Sequence, residues 1–205
     1  MTEPNEINII DKSYNYEIKE KGSRFRTFAI PVENEDEISS NLQNLRKKYF
    51  DASHHCFAYK LTDTFKYSDA GEPSGTAGIR IYNAIEHYNL YNILIVVVRY
   101  FGGTKLGIGG LGRAYYESAL SVLKKAEIKR KFLYAKVFIK IDFELAQKMF
   151  HLFNNSDNKI LNVNYSDEAI FECLIKPGTL ETTIRDIINS TGGKAEITTS
   201  ERIFY

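Results

Sequence analysis

Alternation of apolar and polar residues marks the first regular elements of the chain. "RFRTFAIPV" (24–32) alternates as a strand does, and "HHCFAYKL" (54–61) is a second strand-like segment. "NILIVVV" (92–98) is an apolar run bounded by polar residues, which is typical of a central strand covered on both faces. The first part of the chain therefore contains several strands of a buried sheet.

Helical spacing separates these strands. Asn34 and Glu37 form a capping box, and apolar residues then recur at positions 38, 42, 45 and 49. A second apolar stripe covers positions 81, 84, 85 and 88, and a third covers 116, 119, 120 and 123. Because strands and helices alternate, the first part is predicted to be a mixed α and β domain with a βαβ-type order.

The second part of the chain begins after "KKAEIKRK" (124–131), a charged stretch that we interpret as an interdomain connection. Periodicity then predicts strand, helix, strand, strand, helix, strand, with Gly192 and Gly193 ending the last helix. This is the order of the split βαβ, ferredoxin-like plan. We predict an α+β protein with domains at 1–128 and 129–205.

Composition excludes several classes of protein. The 205 residues carry 27 Lys and Arg against 26 Asp and Glu, a formal net charge of +1, so no global field would gather nucleic acid or lipid. Any such partner needs a local patch, and residues 99–131 hold eight basic and two acidic residues. The alternative is that the basic residues at 124–131 are only a solvated linker.

The N-terminal residues and the cysteines indicate a compartment. Cys56 and Cys173 lie far apart in apolar runs, which indicates two buried reduced thiols rather than a disulfide framework. The N-terminus lacks a secretory signal pattern, and the longest apolar run, 93–98, is too short to span a bilayer. We expect a cytoplasmic protein with no membrane partner.

The stretch "RYFGGTKLGIGGLGR" (99–113) is the richest candidate site. Its six glycines allow backbone N–H groups to turn toward an anion, and Arg99, Lys105 and Arg113 supply positive charge. The alternative is a tight loop that only packs over the sheet. Residues 107–112 match G-x-G-x-x-G literally, but they do not directly follow a strand, and the lysine of a P-loop is missing.

A second candidate is "SDAGEPSGTAG" (68–78). Asp69 and Glu72 could act as acid and base, and Ser74 and Thr76 as nucleophiles, yet no histidine or lysine is near enough in sequence to activate them. The alternative interpretation is that Ser74 and Thr76 only cap the following helix.

The segment "HHC" (54–56) raises the question of a metal site. Adjacent strand residues point to opposite faces, so His54 and Cys56 would need further ligands from elsewhere in the chain. Ordinary strand residues with hydrogen-bonded side chains, and an inert thiol at Cys56, are the favoured interpretation. No metal and no cofactor are predicted.

Taken together, "DASHHCFAY", "SDAGEPSGTAG", "VVVRYFGGTKLG" and "GGLGRAY" resemble the IMPACT family, in its bacterial, YigZ-type two-domain form. The resemblance covers about Phe25 to Leu123. It implies a first domain similar to domain 2 of a small-subunit ribosomal protein and to the fourth domain of elongation factor G, and a second domain similar to that factor's last domain. It therefore implies a partner in translation: RNA, the ribosome or a translation factor.

Eukaryotic members of the family add an N-terminal RWD domain and restrain a starvation-responsive kinase. The resemblance does not carry this role over, because we expect no such domain before Phe25. Two classes of function remain. One is a nonenzymatic, translation-associated regulatory protein, and the other is an uncharacterised enzyme acting on a small phosphorylated or acidic substrate at the Glu72, Ser74 and Thr76 loop.

The predicted ligand-binding residues come from the three stretches above. We expect the cations to contact phosphates and the aromatic residues after Arg99 to stack on bases or pack beneath the loop. The set is His54, Glu72, Ser74, Thr76, Arg99, Tyr100, Gly102, Gly103, Lys105, Gly109, Gly110 and Arg113.

Overall fold

The structure, a computed structural model, describes residues 4–154 and 156–205. The chain divides into two compact units, Met1–Arg130 and Lys131–Tyr205. The elements of the first unit are β1 Glu6–Ile10, β2 Tyr14–Glu20, β3 Ser23–Pro31, α1 Glu35–Lys48, β4 His54–Lys60, β5 Phe65–Ser68, α2 Gly78–His87, β6 Ile93–Tyr100 and α3 Gly107–Leu123. There follow β7 Ile128–Ile141, α4 Ala146–Asn154, β8 Lys159–Tyr165, β9 Ala169–Ile175, α5 Leu180–Ser190 and β10 Glu196–Phe204.

The first unit is built on an antiparallel sheet with the strand order β2-β3-β6-β4-β5. β3 and β4 each run antiparallel to β6, which lies between them, so β3, α1 and β4 form a split βαβ arrangement. Residues 93–98 of β6 are fully buried, which confirms the prediction of a central strand covered on both faces.

The two faces of this sheet pack against different helices. Ile93, Ile95 and Val97 contact the core that includes α2 and α3, whereas Leu94, Val96 and Val98 contact the core that includes α1. Side chains alternate between faces along a strand, so the α2/α3 face of β6 continues with Arg99. The Arg99 side chain is thereby directed toward α2 and α3.

The start of α1 forms as its sequence predicts. The Asn34 side chain accepts a hydrogen bond from the Glu37 backbone N–H at 2.9 Å, and Glu37 Oε2 accepts one from the Glu33 backbone N–H at 2.9 Å. Such caps contribute about 1 kcal/mol each to helix stability. A local signal of four residues, 34–37, is sufficient to fix this helix end.

The second unit is a sheet with the strand order β10-β7-β9-β8, all pairs antiparallel. Its core contains Met149 and Phe153 of α4 and Ile187 of α5. The strand, helix, strand, strand, helix, strand order predicted from the sequence is observed. The protein is thus an α+β chain of two units. None of the helices in the described residues is both long and apolar enough to cross a membrane.

Some elements differ from the prediction. Strands β1, β2 and β5 were not predicted; β2 and β5 are the edges of their sheet, and their mixed exposure gives no apolar run. The charged stretch predicted as a connection at 124–131 is only partly one, because residues 128–131 already belong to β7. Its polar side chains are compatible with a strand because they are exposed there.

Limited digestion with trypsin tests this placement of the connection. Residues 124–127 are the exposed or half-buried turn between α3 and β7, whereas 128–131 are in a strand. Proteases cut exposed turns more readily than strands. We therefore expect cleavage in this region after Lys124 or Lys125 and not after Lys129 or Arg130, as measured by mass spectrometry of early fragments. Early cuts within 129–131 would contradict it, and separate folding of domains 1–128 and 129–205 stays a prediction.

Candidate functional site

A buried ion pair lies where the two candidate stretches meet. Arg99 Nη1 donates to Glu72 Oε1 at 2.6 Å, and the two side chains are only 7% and 3% exposed. Arg99 is directly opposite Phe25 on β3 and His54 on β4, so all three share the α2/α3 face of the sheet. Of the two acidic residues in the 68–78 stretch, Asp69 and Glu72, it is Glu72 that pairs with Arg99.

Glu72 is held from a second side by α3. Tyr115 donates a hydrogen bond from its hydroxyl to Glu72 Oε1 at 2.8 Å. The Cys56 sulfur lies 3.2 Å from that hydroxyl and 2.9 Å from the Asp69 carbonyl oxygen. Burial, more than any neighbour, raises the pKa of Cys56 to about 12 and also raises the pKa of Tyr115. Both groups are therefore neutral at physiological pH, and Cys56 is not an activated nucleophile.

His54 borders the same network. Its Nδ1 donates to the Ala70 carbonyl oxygen at 3.0 Å, which leaves Nε2 facing Glu72 Oε2 at 3.8 Å. His54 was predicted as a site residue without a known partner, and the partner is 18 positions away in the sequence. The fold thus provides the histidine that local sequence could not place beside this loop.

The start of α2 is capped by Asp69, and this corrects the interpretation of Ser74 and Thr76 as caps. Asp69 Oδ1 accepts from the backbone N–H groups of Ala77 and Gly78 at 2.9 and 2.8 Å, and Oδ2 accepts from Gly75 at 2.9 Å. The sequence interpretation failed because the cap comes from eight or nine positions upstream rather than from the adjacent residue.

The two hydroxyl residues of this loop have other surroundings. Thr76 is buried and donates its hydroxyl to the Pro73 carbonyl oxygen at 2.6 Å, whereas Ser74 is exposed. His54 is hydrogen-bonded to Ala70 rather than to either hydroxyl. Among the described residues, these contacts provide no base next to Ser74 or Thr76, which nucleophilic catalysis requires.

The glycine-rich stretch is divided between a short loop and a helix. Gly102 donates its backbone N–H to Ser23 Oγ at 3.1 Å and lies against Gly22, where an added Cβ would approach the Gly22 carbonyl carbon to 1.8 Å. Gly103 is in the exposed loop, while Gly109 and Gly110 are in the first turns of α3. Part of the stretch predicted as a backbone cradle is thus the start of a helix, and anion binding by it stays a prediction.

The N-terminus of α3 is available to an anion. Its N-cap residue, Leu106, makes no side-chain capping hydrogen bond, and its first turn contains no acidic residue. The first N–H groups of a helix lack partners within the helix, and its dipole favours negative charge there. The glycine pattern therefore still indicates an anion site, but through a helix terminus.

Two clefts flank this helix start, and Ile108 lines both. The first, of about 340 Å³ and called here the Arg99 cleft, is lined by Glu72, Pro73, Arg99, Phe101, Lys105, Leu106, Gly107, Ile108 and Leu111. The second, of about 410 Å³ and called the Arg113 cleft, is lined by Arg80, Asn83, Ile108, Gly109, Gly112, Arg113 and Tyr116. The stretches 69–78 and 99–113 thus line one cleft.

One predicted residue, Tyr100, lies on the opposite face of the sheet from Arg99 and its cleft. Tyr100 packs on the α1 side of the sheet, where its hydroxyl donates to Asp51 at 2.8 Å. Phe101 lines the Arg99 cleft instead and is 49% exposed. Sequence reasoning missed Arg80 and Tyr115, because each is an ordinary helical residue until the fold brings it beside residues far away in the chain.

Metal binding has little support in this region. Within the described part of the chain, no three His, Cys, Asp or Glu side chains form a group that could hold an ion. His54 and Cys56 lie on the same face of β4, but their contacts are with the Ala70 carbonyl and with Tyr115 and the Asp69 carbonyl. These contacts agree with the interpretation of hydrogen-bonded strand residues.

Replacing Asp69 tests its capping role. Burial raises the pKa of Asp69, but its three backbone donors outweigh burial and hold the pKa below the usual 3.8. Asp69→Ala should lower the free energy of unfolding at pH 7 by about 2 kcal/mol, and Asp69→Asn by less. A depressed folded pKa gives stability that is complete above about pH 4 and lost as the pH falls further. The gap between wild type and Asp69→Asn should narrow below pH 4 in denaturant titrations, and a constant gap would contradict this.

Gly102→Ala tests the close approach to Gly22. The added Cβ would overlap backbone atoms that cannot move aside, so we expect a loss of about 3 kcal/mol or failure to fold. Gly109→Ala is the matched control, because nothing lies within 4 Å of its added Cβ and helix propensity favours Ala by about 1 kcal/mol. Thermal unfolding of both variants measures the difference, and equal stability would show that Gly102 needs no close approach.

Comparisons with known proteins show which proteins the chain is similar to. YvyE of Bacillus subtilis, an IMPACT family member, is 29% identical over 195 residues, covering 94% of this chain and 90% of that protein. YigZ of Escherichia coli, also an IMPACT family member, is 30% identical over 150 residues, covering 71% and 74%. A crystal structure of a hypothetical protein superposes with a TM-score of 0.66 and 24% identity over 97% of this chain and 98% of that one, which shows the fold alone.

A family model matches most of the first unit. The Impact N-terminal domain matches residues 21–123, which include both candidate stretches and both clefts. With that match, and with relatives of this identity and coverage, the chain belongs to the IMPACT family.

Proposed function

We propose that the protein is a nonenzymatic, translation-associated regulatory protein that binds RNA through phosphate contacts at the start of α3. The observation that carries the proposal is the uncapped α3 terminus between two clefts that both contain basic residues. Backbone N–H groups, Lys and Arg are the usual protein contacts to phosphate. The resemblance to ribosomal and elongation-factor domains supports a partner in translation.

The positive charge at the clefts is not cancelled locally. Arg80 and Arg113 line the same cleft, which contains no acidic residue. In the other cleft, Glu72 is the acidic residue and is paired with Arg99, so Lys105 remains as a cation without an acid beside it in that lining. The start of α3 is therefore flanked by the cations Arg80, Lys105 and Arg113 of the two cleft linings.

Apolar side chains beside these cations suit single-stranded RNA. Phe101 is 49% exposed and Ile108 is 75% exposed. Unpaired bases stack on exposed aromatic side chains while cations follow the phosphate backbone. Because an exposed aromatic and the helix terminus are close together, we favour RNA with unpaired bases over a rigid duplex.

The enzyme alternative, centred on Glu72, Ser74 and Thr76, has no comparable observation in its favour. Glu72 is buried in an ion pair, and the Thr76 hydroxyl is used within its own turn. These residues are better explained as the support for the loop. RNA binding is therefore the function to test first.

The test measures binding of single-stranded oligouridylate, and of ribosomes, across a salt series. Each phosphate contact to a single strand contributes about 0.7 to the slope of log affinity against log salt. The Lys105→Ala, Arg113→Ala double variant should therefore flatten the slope by about 1.4, two contacts at this value. Folding should change by less than about 0.5 kcal/mol, because both residues are exposed.

A double variant of equal charge loss provides the control. Lys19→Ala, Lys47→Ala removes two exposed lysines from β2 and α1, away from both clefts. It should change the slope far less than the first variant. Equal slopes for both variants and wild type, with intact folding, would reject phosphate binding at the start of α3. We do not use Arg99 for this test, because removing it would leave Glu72 buried without its partner.

A further inference from the structure

The Arg99 cleft differs from a surface that only follows a phosphate backbone. Its volume of about 340 Å³ lies within the range of small-molecule sites, and most of its lining is apolar. Its two ends are unlike: Arg99 is buried, whereas Lys105 is exposed. A phosphate track needs neither an apolar wall nor a buried polar end, so the cleft calls for a separate explanation.

The buried end has unused hydrogen-bonding capacity. The Arg99 side chain is only 7% exposed, and its Nε atom has no hydrogen-bond partner among the described residues. Glu72 Oε1 accepts hydrogen bonds from both Arg99 and Tyr115, while Glu72 Oε2 lies 3.8 Å from His54 Nε2. A buried polar atom without a partner is costly, and the residue that carries it, Arg99, lines the cleft together with Glu72.

The walls suit a flat ring. Phe101, Leu111 and Pro73 are among the lining residues, and the Arg99 guanidinium lies 5.7 Å from the Phe101 ring centre. An aromatic ligand would stack on such a surface. A ring with polar edge atoms would suit this cleft, because the charged residues Arg99 and Glu72 are also among its lining residues.

The exposed end suits a phosphate. Lys105 and Gly107 line the cleft there, and Gly107 is the first residue of the uncapped helix α3. A helix terminus together with a lysine binds phosphate through N–H groups and a point charge. The lining of the cleft thus combines a phosphate-binding helix terminus with Lys105, apolar side chains and the buried Arg99–Glu72 pair.

We propose that the Arg99 cleft is a binding site for a nucleoside monophosphate unit, with the phosphate at Lys105 and the α3 terminus and the base directed toward Arg99 and Glu72. The unit is either a free mononucleotide or the terminal nucleotide of an RNA strand. This inference does not depend on phosphate contacts at Arg80 and Arg113, which line the other cleft.

Titration calorimetry with the full chain tests the site. The probes are the four ribonucleoside 5′-monophosphates, the matching nucleosides and inorganic phosphate. At least one monophosphate should bind at least about tenfold more tightly than its nucleoside and than inorganic phosphate, because each lacks one half of the contacts. Failure of all four monophosphates to bind below millimolar concentration would overturn the proposal.

Variants then locate the binding. Lys105→Ala should weaken the monophosphate about tenfold, and Phe101→Ala should weaken it at least about fivefold by loss of stacking. Lys47→Ala, which removes an exposed lysine of α1 that lines neither cleft, is the matched control and should change affinity by less than about twofold. Amide chemical shifts should move most at 101–111. Binding that is unaffected by Lys105→Ala and Phe101→Ala, or shifts confined to other regions, would place the nucleotide elsewhere and reject the site.

Oligonucleotides separate the two sources of the ligand. A tetranucleotide with a 5′-phosphate that competes with the mononucleotide, where its 5′-hydroxyl form does not, indicates an RNA end. If neither tetranucleotide displaces the bound mononucleotide, the ligand is a free metabolite. Both results support the site. The two proposals share Lys105 and the α3 terminus, but only the RNA proposal uses the Arg113 cleft. An unchanged salt slope for RNA rejects the first proposal, whereas mononucleotide binding that ignores Lys105→Ala and Phe101→Ala rejects the second.

Discussion

The buried ion pair between Arg99 and Glu72 is the constraint on which the candidate site depends. Removing either partner would leave a charge in a place that is almost closed to water, at a cost of several kcal/mol. The pair therefore fixes the end of β6 against the loop 69–78. Because Tyr115 of α3 also bonds Glu72, the same carboxylate sets the position of three segments that are distant in sequence. The Arg99 cleft is the space that remains between them.

The helices of the first unit differ in how their N-termini are satisfied. α1 is capped by Asn34, and α2 has backbone N–H groups bound by Asp69. α3 receives no side-chain cap, although it is the longest of the three at 17 residues. An uncapped terminus on a long helix costs stability unless water or a ligand supplies acceptors. The start of α3, which lacks a side-chain cap from its N-cap residue, borders both clefts.

Sequence reasoning succeeded where the signal is local. Apolar alternation placed β3, a strand-like segment placed β4, an apolar run placed β6, and the capping box placed the start of α1. It failed where the partner is distant, since the capping of α2 comes from Asp69 and the choice between Asp69 and Glu72 as the partner of Arg99 needed the fold. Long-range contacts of this kind leave no spacing signal in one sequence.

The start of α3 shows a second kind of failure. Four glycines within residues 107–112 disfavour a helix by about 1 kcal/mol each relative to Ala, so the sequence favoured a loop there. At Gly112 an added Cβ would lie 3.2 Å from Nε of the Arg80 side chain on α2. Gly112 is thus close to α2, and that closeness is visible only once the helices are placed.

The shared helix terminus links the two proposed sites physically. Ile108 of the first turn lines both clefts, so a phosphate in either one lies beside the same few N–H groups. Two phosphates at one helix start repel each other, and at distances below the Debye length of about 8 Å salt screens that repulsion only partly. A nucleotide in the Arg99 cleft would therefore weaken an RNA phosphate near Arg113, and by reciprocity RNA would weaken the nucleotide to the same degree. An uncapped helix between two clefts is thus an arrangement in which a small anion can control access of a large one without any change in the fold.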